Sequence, residues 1–134
     1  MIFLDTSFLV SVEVETDQNH EKAIKVMDEI INGKFGKPVI SDYIFDETVT
    51  VTFGRSRELK KAVIVGTNLQ NSVEILKVAE KNIEEAWNLF KNQKVTRFSF
   101  TDCTILSLMK KEGIRNIATF DGDFRTIKEI NIIC

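Results

Sequence analysis

Histidine and cysteine, the usual nucleophiles and soft metal ligands of small enzymes, are nearly missing from this chain: one His and two Cys in 134 residues. His20 stands in a polar helix start with no catalytic partner near it in sequence, so Ser–His and Cys–His chemistry has little to work with. Cys103 and Cys134 lack metal-type spacing, and free thiols are expected of them. Proline occurs once and glycine six times, too rarely for linkers or low-complexity tracts. No run approaches the roughly 20 apolar residues of a membrane span. An excess of basic charge is also absent. The net charge of −2 argues against coating nucleic acid by bulk electrostatics, although bound cations can reverse the local sign of an acidic site.

What is present is a chain with 43% hydrophobic residues, enough for one core and too short for two. One domain over residues 1–134 is therefore expected. Met1 leads straight into Ile2-Phe3-Leu4-Asp5, without a basic start and a long apolar run, so a cytoplasmic protein is the expectation.

Ile2-Phe3-Leu4 suits a short buried strand ending on Asp5 and Thr6. A short helix around Phe8 to Val12 follows, and then Ala23, Ile24, Met27, Ile30 and Ile31 recur at helical spacing before Gly33. Gly36 and Pro38 punctuate the chain before Val39 and Ile40. Ser41 can then cap a helix through Ile44, Phe45, Thr48, Val49, Thr52 and Phe53. Thr48 to Phe53 is β-branched enough for a strand, but its apolar pairs return every four residues, which favours helix. Leu59 to Leu69 predicts another helix, Val73 to Leu76 a parallel-type strand, and Ile83 to Phe90 a further helix. Phe98 to Asp102 opens a helix with Ile105, Leu106 and Met109, closed by Lys110, Lys111 and Gly113. Asn116 to Phe120 is a strand running into Asp121, and Asn131 to Ile133 suits an edge strand. This alternation predicts a three-layer α/β/α sandwich with a mostly parallel central sheet, which binds ligands beyond the carboxyl ends of its strands.

Most of the acids lie on charged helical faces. Four do not. Asp5 and Asp121 each end an apolar strand, Asp102 lies in the first turn of a helix, and Glu47 sits in an unusually apolar helical stretch. Clustered carboxylates of this kind suit Mg²⁺ or Mn²⁺, which favour hard oxygen ligands, and metal-assisted phosphodiester hydrolysis. Each acid also has a structural reading: Asp5 as a helix cap, Asp102 as partner of a helix dipole, Asp121 before Gly122 as a turn residue. Glu47 among Ile44, Phe45, Val49 and Val51 is harder to explain so, because an unpaired buried carboxylate is costly. A phosphatase-like pattern needs a second Asp two residues after the first, where this chain has Ser7. A receiver-like phosphoacceptor needs paired early acids and a later Lys that are not found.

In order, Ile2-Phe3-Leu4-Asp5-Thr6-Ser7, Ser41 to Thr48, Phe100-Thr101-Asp102-Cys103 and Ala118 to Phe124 resemble the motifs of PIN-domain nucleases, especially the VapC-like toxins of toxin–antitoxin pairs. The resemblance covers essentially the whole chain. It implies a metal-dependent endoribonuclease in which Asp5, Glu47, Asp102 and Asp121 hold Mg²⁺ or Mn²⁺, with Asp123 a fifth acid and Thr6 or Thr101 contributing hydrogen bonds. Glu47 is preferred to Asp46 because the family places its acid just before Thr. Implied partners are an RNA substrate, an antitoxin protein and a second copy of the chain. The alternatives within that frame are a PIN nuclease of RNA processing and a non-catalytic RNA- or protein-binding module. Arg55, Arg57, Lys60 and Lys61 form a basic cluster that can meet RNA phosphates or be an ordinary solvated face. Apolar residues between Leu59 and Leu69 can serve a dimer, an antitoxin helix or the core.

Overall fold

A computed structural model describes all residues from 1 to 134. Five strands form one parallel sheet in the order β3-β2-β1-β4-β5: β1 (Ile2–Leu4), β2 (Pro38–Ser41), β3 (Glu74–Leu76), β4 (Asn116–Ala118) and β5 (Asn131–Ile133). Between β1 and β2 lie α1 (Thr6–Glu13) and α2 (His20–Ile31), and between β2 and β3 lie α3 (Asp42–Ser56) and α4 (Leu59–Ser72). The return from β3 to β4 carries α5 (Glu80–Lys91) and α6 (Phe100–Glu112), and a 3₁₀ turn over Gly122–Thr126 leads to β5. Right-handed crossovers running in opposite directions place the first four helices on one face and the last two on the other. The packing agrees: α1 touches α2 and α3, α3 touches α4, and α5 packs on α6. The expected three-layer sandwich is what the chain forms.

The central strand β1 is short because helices bury it on both faces, so three apolar residues suffice. Ile2, Phe3, Ile40 and Ile117 have no exposed surface and join Phe8, Ile105, Leu108 and Phe124 in a single cluster of 24 buried residues. β2 was not evident as a strand in the sequence, since only Val39 and Ile40 stand between Pro38 and Ser41. It is a strand because it pairs with both β1 and β3. β3 is an edge strand with Glu74 and Ile75 exposed, rather than a buried parallel strand.

The contested stretch is helical. Ser41 caps α3 by accepting the Ile44 N–H at 3.1 Å, and the buried residues Ile44, Thr48 and Thr52 recur every fourth position. In α4, Ala62, Val65, Gly66 and Leu69 face the core while Leu59 and Val63 stay more than half exposed. No helix is long and apolar enough to cross a membrane.

Candidate metal centre

Strand β1 has β2 on one side and β4 on the other, the connections to its two sides run over opposite faces of the sheet, and a crevice opens beyond its carboxyl end. Asp5 emerges there. Its backbone N–H donates to the Ala118 carbonyl at 3.0 Å, which keeps β1 and β4 together to their ends. Thr119 and Asp121 follow β4 at the same edge, α3 brings Glu47, and the first turn of α6 brings Asp102. All four acids line one cavity of about 420 Å³, with Thr6, Ser7, Ser99, Asp17 and Arg55 among its other walls.

The three aspartates share a pattern: one oxygen is anchored and the other carries no protein hydrogen bond. Asp5 Oδ2 accepts the hydroxyls of Ser7 at 2.6 Å and Thr119 at 2.7 Å. Although Asp5 occupies the N-cap position of α1, its side chain makes no capping bond. Asp102 Oδ2 accepts the Ser99 N–H at 2.8 Å, and Ser99 Oγ accepts the Asp102 N–H at 3.1 Å, a reciprocal capping box. Asp121 Oδ1 accepts the Asp123 N–H at 2.9 Å and starts the 3₁₀ turn. For Asp102 and Asp121 the structural reading therefore holds alongside the cavity position, because a carboxylate has lone pairs enough for both.

The electrostatics record crowding. Burial raises the Asp5 carboxyl above its usual range against the opposing hydroxyl hydrogen bonds. Burial, then the charge of Asp5, raises Glu47. Asp102 is pushed up to about 6, by burial first and then by the charges of Asp5 and Asp121. Such mutual repulsion is relieved by a cation. The donors are hard oxygens, which suit Mg²⁺ or Mn²⁺, but no three His, Cys, Asp or Glu side chains converge closely enough to chelate one ion by themselves. The residues thus fit a cation that keeps several waters, as Mg²⁺ does, rather than a fully protein-ligated one.

Asp123 is not brought to the cavity. Its Oδ2 accepts the Arg97 N–H at 2.8 Å, tying the 3₁₀ turn to the loop before α6. Asp46 is exposed and borders a smaller depression that is also lined by Tyr43, Glu47, Thr50 and Thr101. Thr6 lines the acid cavity itself. His20 is structural, its Nδ1 lying 2.8 Å from the Ser11 carbonyl. Both cysteines are free.

Sequence reasoning missed Ser7 and Thr119 as the supports of Asp5, and Asp17 as a cavity wall; of the basic cluster expected either to meet RNA or to be solvated, Arg55 alone lines the cavity. Ser7 and Thr119 each had a signal, a hydroxyl within two residues of a strand-end aspartate. Asp17 had none, lying in a polar loop.

Residues 2–130 match the family model described as PIN domain. The chain is 29% identical over 127 residues to the 23S rRNA-specific endonuclease VapC20 of Mycobacterium tuberculosis, covering 92% of each. The crystal structure of that relative, described as a sarcin-ricin loop cleaving toxin, superposes with a TM-score of 0.84 at 28% identity, over 96% of this chain and 95% of the other. VapBC2 from Rickettsia felis, bound to a DNA fragment from its promoter, superposes with a TM-score of 0.69 at 17% identity, over 99% and 98%, a likeness of fold alone.

Proposed function

The chain belongs to the PIN-domain family, and from that premise we propose that it is a metal-dependent endoribonuclease, the toxin of a toxin–antitoxin pair, acting as a single PIN-like domain over residues 1–134. The observation that carries this reading is the meeting of Asp5, Glu47, Asp102 and Asp121, from four separate segments, in one cavity beyond the carboxyl ends of β1 and β4. The VapC20 relative, similar over nearly its whole length, supports RNA as substrate, and its named target makes a structured ribosomal RNA loop the first one to try.

In this mechanism Asp5, Glu47, Asp102 and Asp121 would hold Mg²⁺ or Mn²⁺ that keeps part of its water shell. When bound, the cation would supply positive charge for the phosphate and lower the pKa of water toward neutrality. The chain's own residues fix the geometry. Ser7 and Thr119 hold the Asp5 carboxylate from one side, and Ser99 holds Asp102, so neither side chain must reorganise as charge develops.

An antitoxin or a second copy of the chain would find apolar surface between α3 and α4, where Phe53, Leu59 and Val63 are exposed. A cytoplasmic location suits an enzyme acting on ribosomal RNA.

The test is cleavage of ribosomal RNA by the purified chain with Mn²⁺ or Mg²⁺. Asp5→Asn, Glu47→Gln, Asp102→Asn and Asp121→Asn should each lower the rate by at least a hundredfold, with circular dichroism unchanged. Full activity in Asp5→Asn and Asp102→Asn, or activity undiminished by chelator, would defeat the assignment.

A further inference from the structure

Helix α3 brings more than Glu47 to the cavity. Glu47, Val51 and Arg55 all line it, and their four-residue spacing puts them on one helical face. Arg55 lies eight residues on, about 12 Å along the helix axis at 1.5 Å per residue. It is the one basic residue on a wall that otherwise carries Asp5, Asp17, Glu47, Asp102 and Asp121. Arg57, Lys60 and Lys61, its neighbours in the sequence cluster, do not line the cavity.

Arg55 is also held in place. Its Nη1 donates to Asp17 Oδ2 at 2.8 Å. Asp17 is itself fixed, because its Oδ1 accepts the Ser11 hydroxyl at 3.0 Å and the Asn19 N–H at 2.8 Å. The tether draws the guanidinium toward the loop between α1 and α2. One bond to Asp17 leaves most of the five guanidinium N–H donors free, and the side chain is 43% exposed. A planar fork of donors, preset and open to solvent, is the geometry that binds a phosphate.

A cation among the acids would neutralise the phosphate at the reacting centre. The flanking phosphates of the same strand would still meet surplus carboxylate charge along this wall. We propose that Arg55, oriented by Asp17, binds a phosphate flanking the scissile one and so sets how the RNA strand crosses the cavity. This rests on the nuclease reading. Arg55 would be a substrate-binding residue, and Asp17 a positioning residue that acts through it.

The competing role for the pair is a brace joining the end of α3 to the α1–α2 loop. Anisotropy of a fluorescein-labelled single-stranded 12-nucleotide RNA separates the two, with Ca²⁺ in place of Mn²⁺ so that the strand is held and not cut. Binding is followed from about 50 to 200 mM salt. Arg55→Ala should weaken binding about five- to tenfold and make the slope of log K against log salt shallower by about 0.7, the loss of one single-strand phosphate contact. Arg55→Lys should keep the slope with a smaller loss. Asp17→Asn retains the arginine charge and should weaken binding without lowering the slope. Mn²⁺ affinity by calorimetry should be unchanged in all three.

Wild-type affinity and slope in Arg55→Ala would overturn the inference and leave the nuclease reading standing. So would equal losses in all three variants accompanied by weaker Mn²⁺ binding, the signature of a brace. A wild-type chain that binds neither Mn²⁺ nor the RNA would remove the nuclease reading and this inference together.

Discussion

Asp102 serves two ends that pull in opposite directions. Its carboxylate caps α6, which favours the folded state, yet burial and the charges of Asp5 and Asp121 push it up to about 6 from an ordinary 3.8. A carboxyl whose folded pKa is raised costs nothing below its unfolded pKa, costs progressively more as pH rises, and carries its full penalty above the folded value. In chelator, Asp102→Asn should therefore match the wild type near pH 4 and gain stability between pH 4 and 6. The gain should level off above pH 6.5 at about 1–2 kcal/mol, discounted for partial exposure. Denaturant unfolding across pH measures this, and a variant less stable than wild type at pH 7.5 contradicts it. Thr52 offers a simpler case, since its buried hydroxyl on α3 has no hydrogen-bond partner. Thr52→Val should stabilise the protein by about 1 kcal/mol, seen as a higher Tm, because it removes an unmet polar group with little change of shape.

Among the elements, α3 and α6 do most to position the site, and both begin with a serine cap. Ser99→Ala should cost about 1 kcal/mol through loss of the capping box. It should leave Mn²⁺ affinity near the wild-type value, because the Asp102 carboxylate is held by the Ser99 backbone N–H, which alanine keeps; a large loss of affinity would show that the Ser99 hydroxyl is needed to place Asp102. The far end of α3 is less well made. Arg57 ends the helix at φ 57°, in the left-handed region, where a side chain is strained and glycine is not. Arg57→Gly should raise stability by about 0.5–1 kcal/mol, read from the midpoint of urea unfolding. It should leave the Asp17–Arg55 tether intact.

For the whole molecule, folding gathers five acids and one arginine around the acid cavity, so a divalent cation should act as a folding ligand. Millimolar Mn²⁺ should raise the Tm of the wild type by several degrees, as expected for a ligand present at many times its Kd. The shift should shrink below pH 6, where protons compete for Asp102 and its raised neighbours. Asp5→Asn should abolish it. An equal shift in that variant, followed by differential scanning fluorimetry, would place the cation elsewhere on the surface.

Hydrophobic periodicity was enough to read the alternation of strands and helices, the helical character of α3, and the placement of Asp5 directly after β1, whereas the strand expected to run through Phe120 into Asp121 ends at Ala118. The features read in this way depend on neighbours within a few residues, which a sequence displays directly. The same local chemistry left every acid with two readings, because capping, turning and metal binding all use a carboxylate beside a backbone N–H. Tertiary structure alone put Ser7 and Thr119 on one oxygen of Asp5, turned Asp123 away to Arg97, made a strand of Val39 and Ile40 by pairing them on both sides, and set Arg55 against Asp17. Each of these depends on groups far apart in the chain meeting in space, and no local pattern encodes such a meeting.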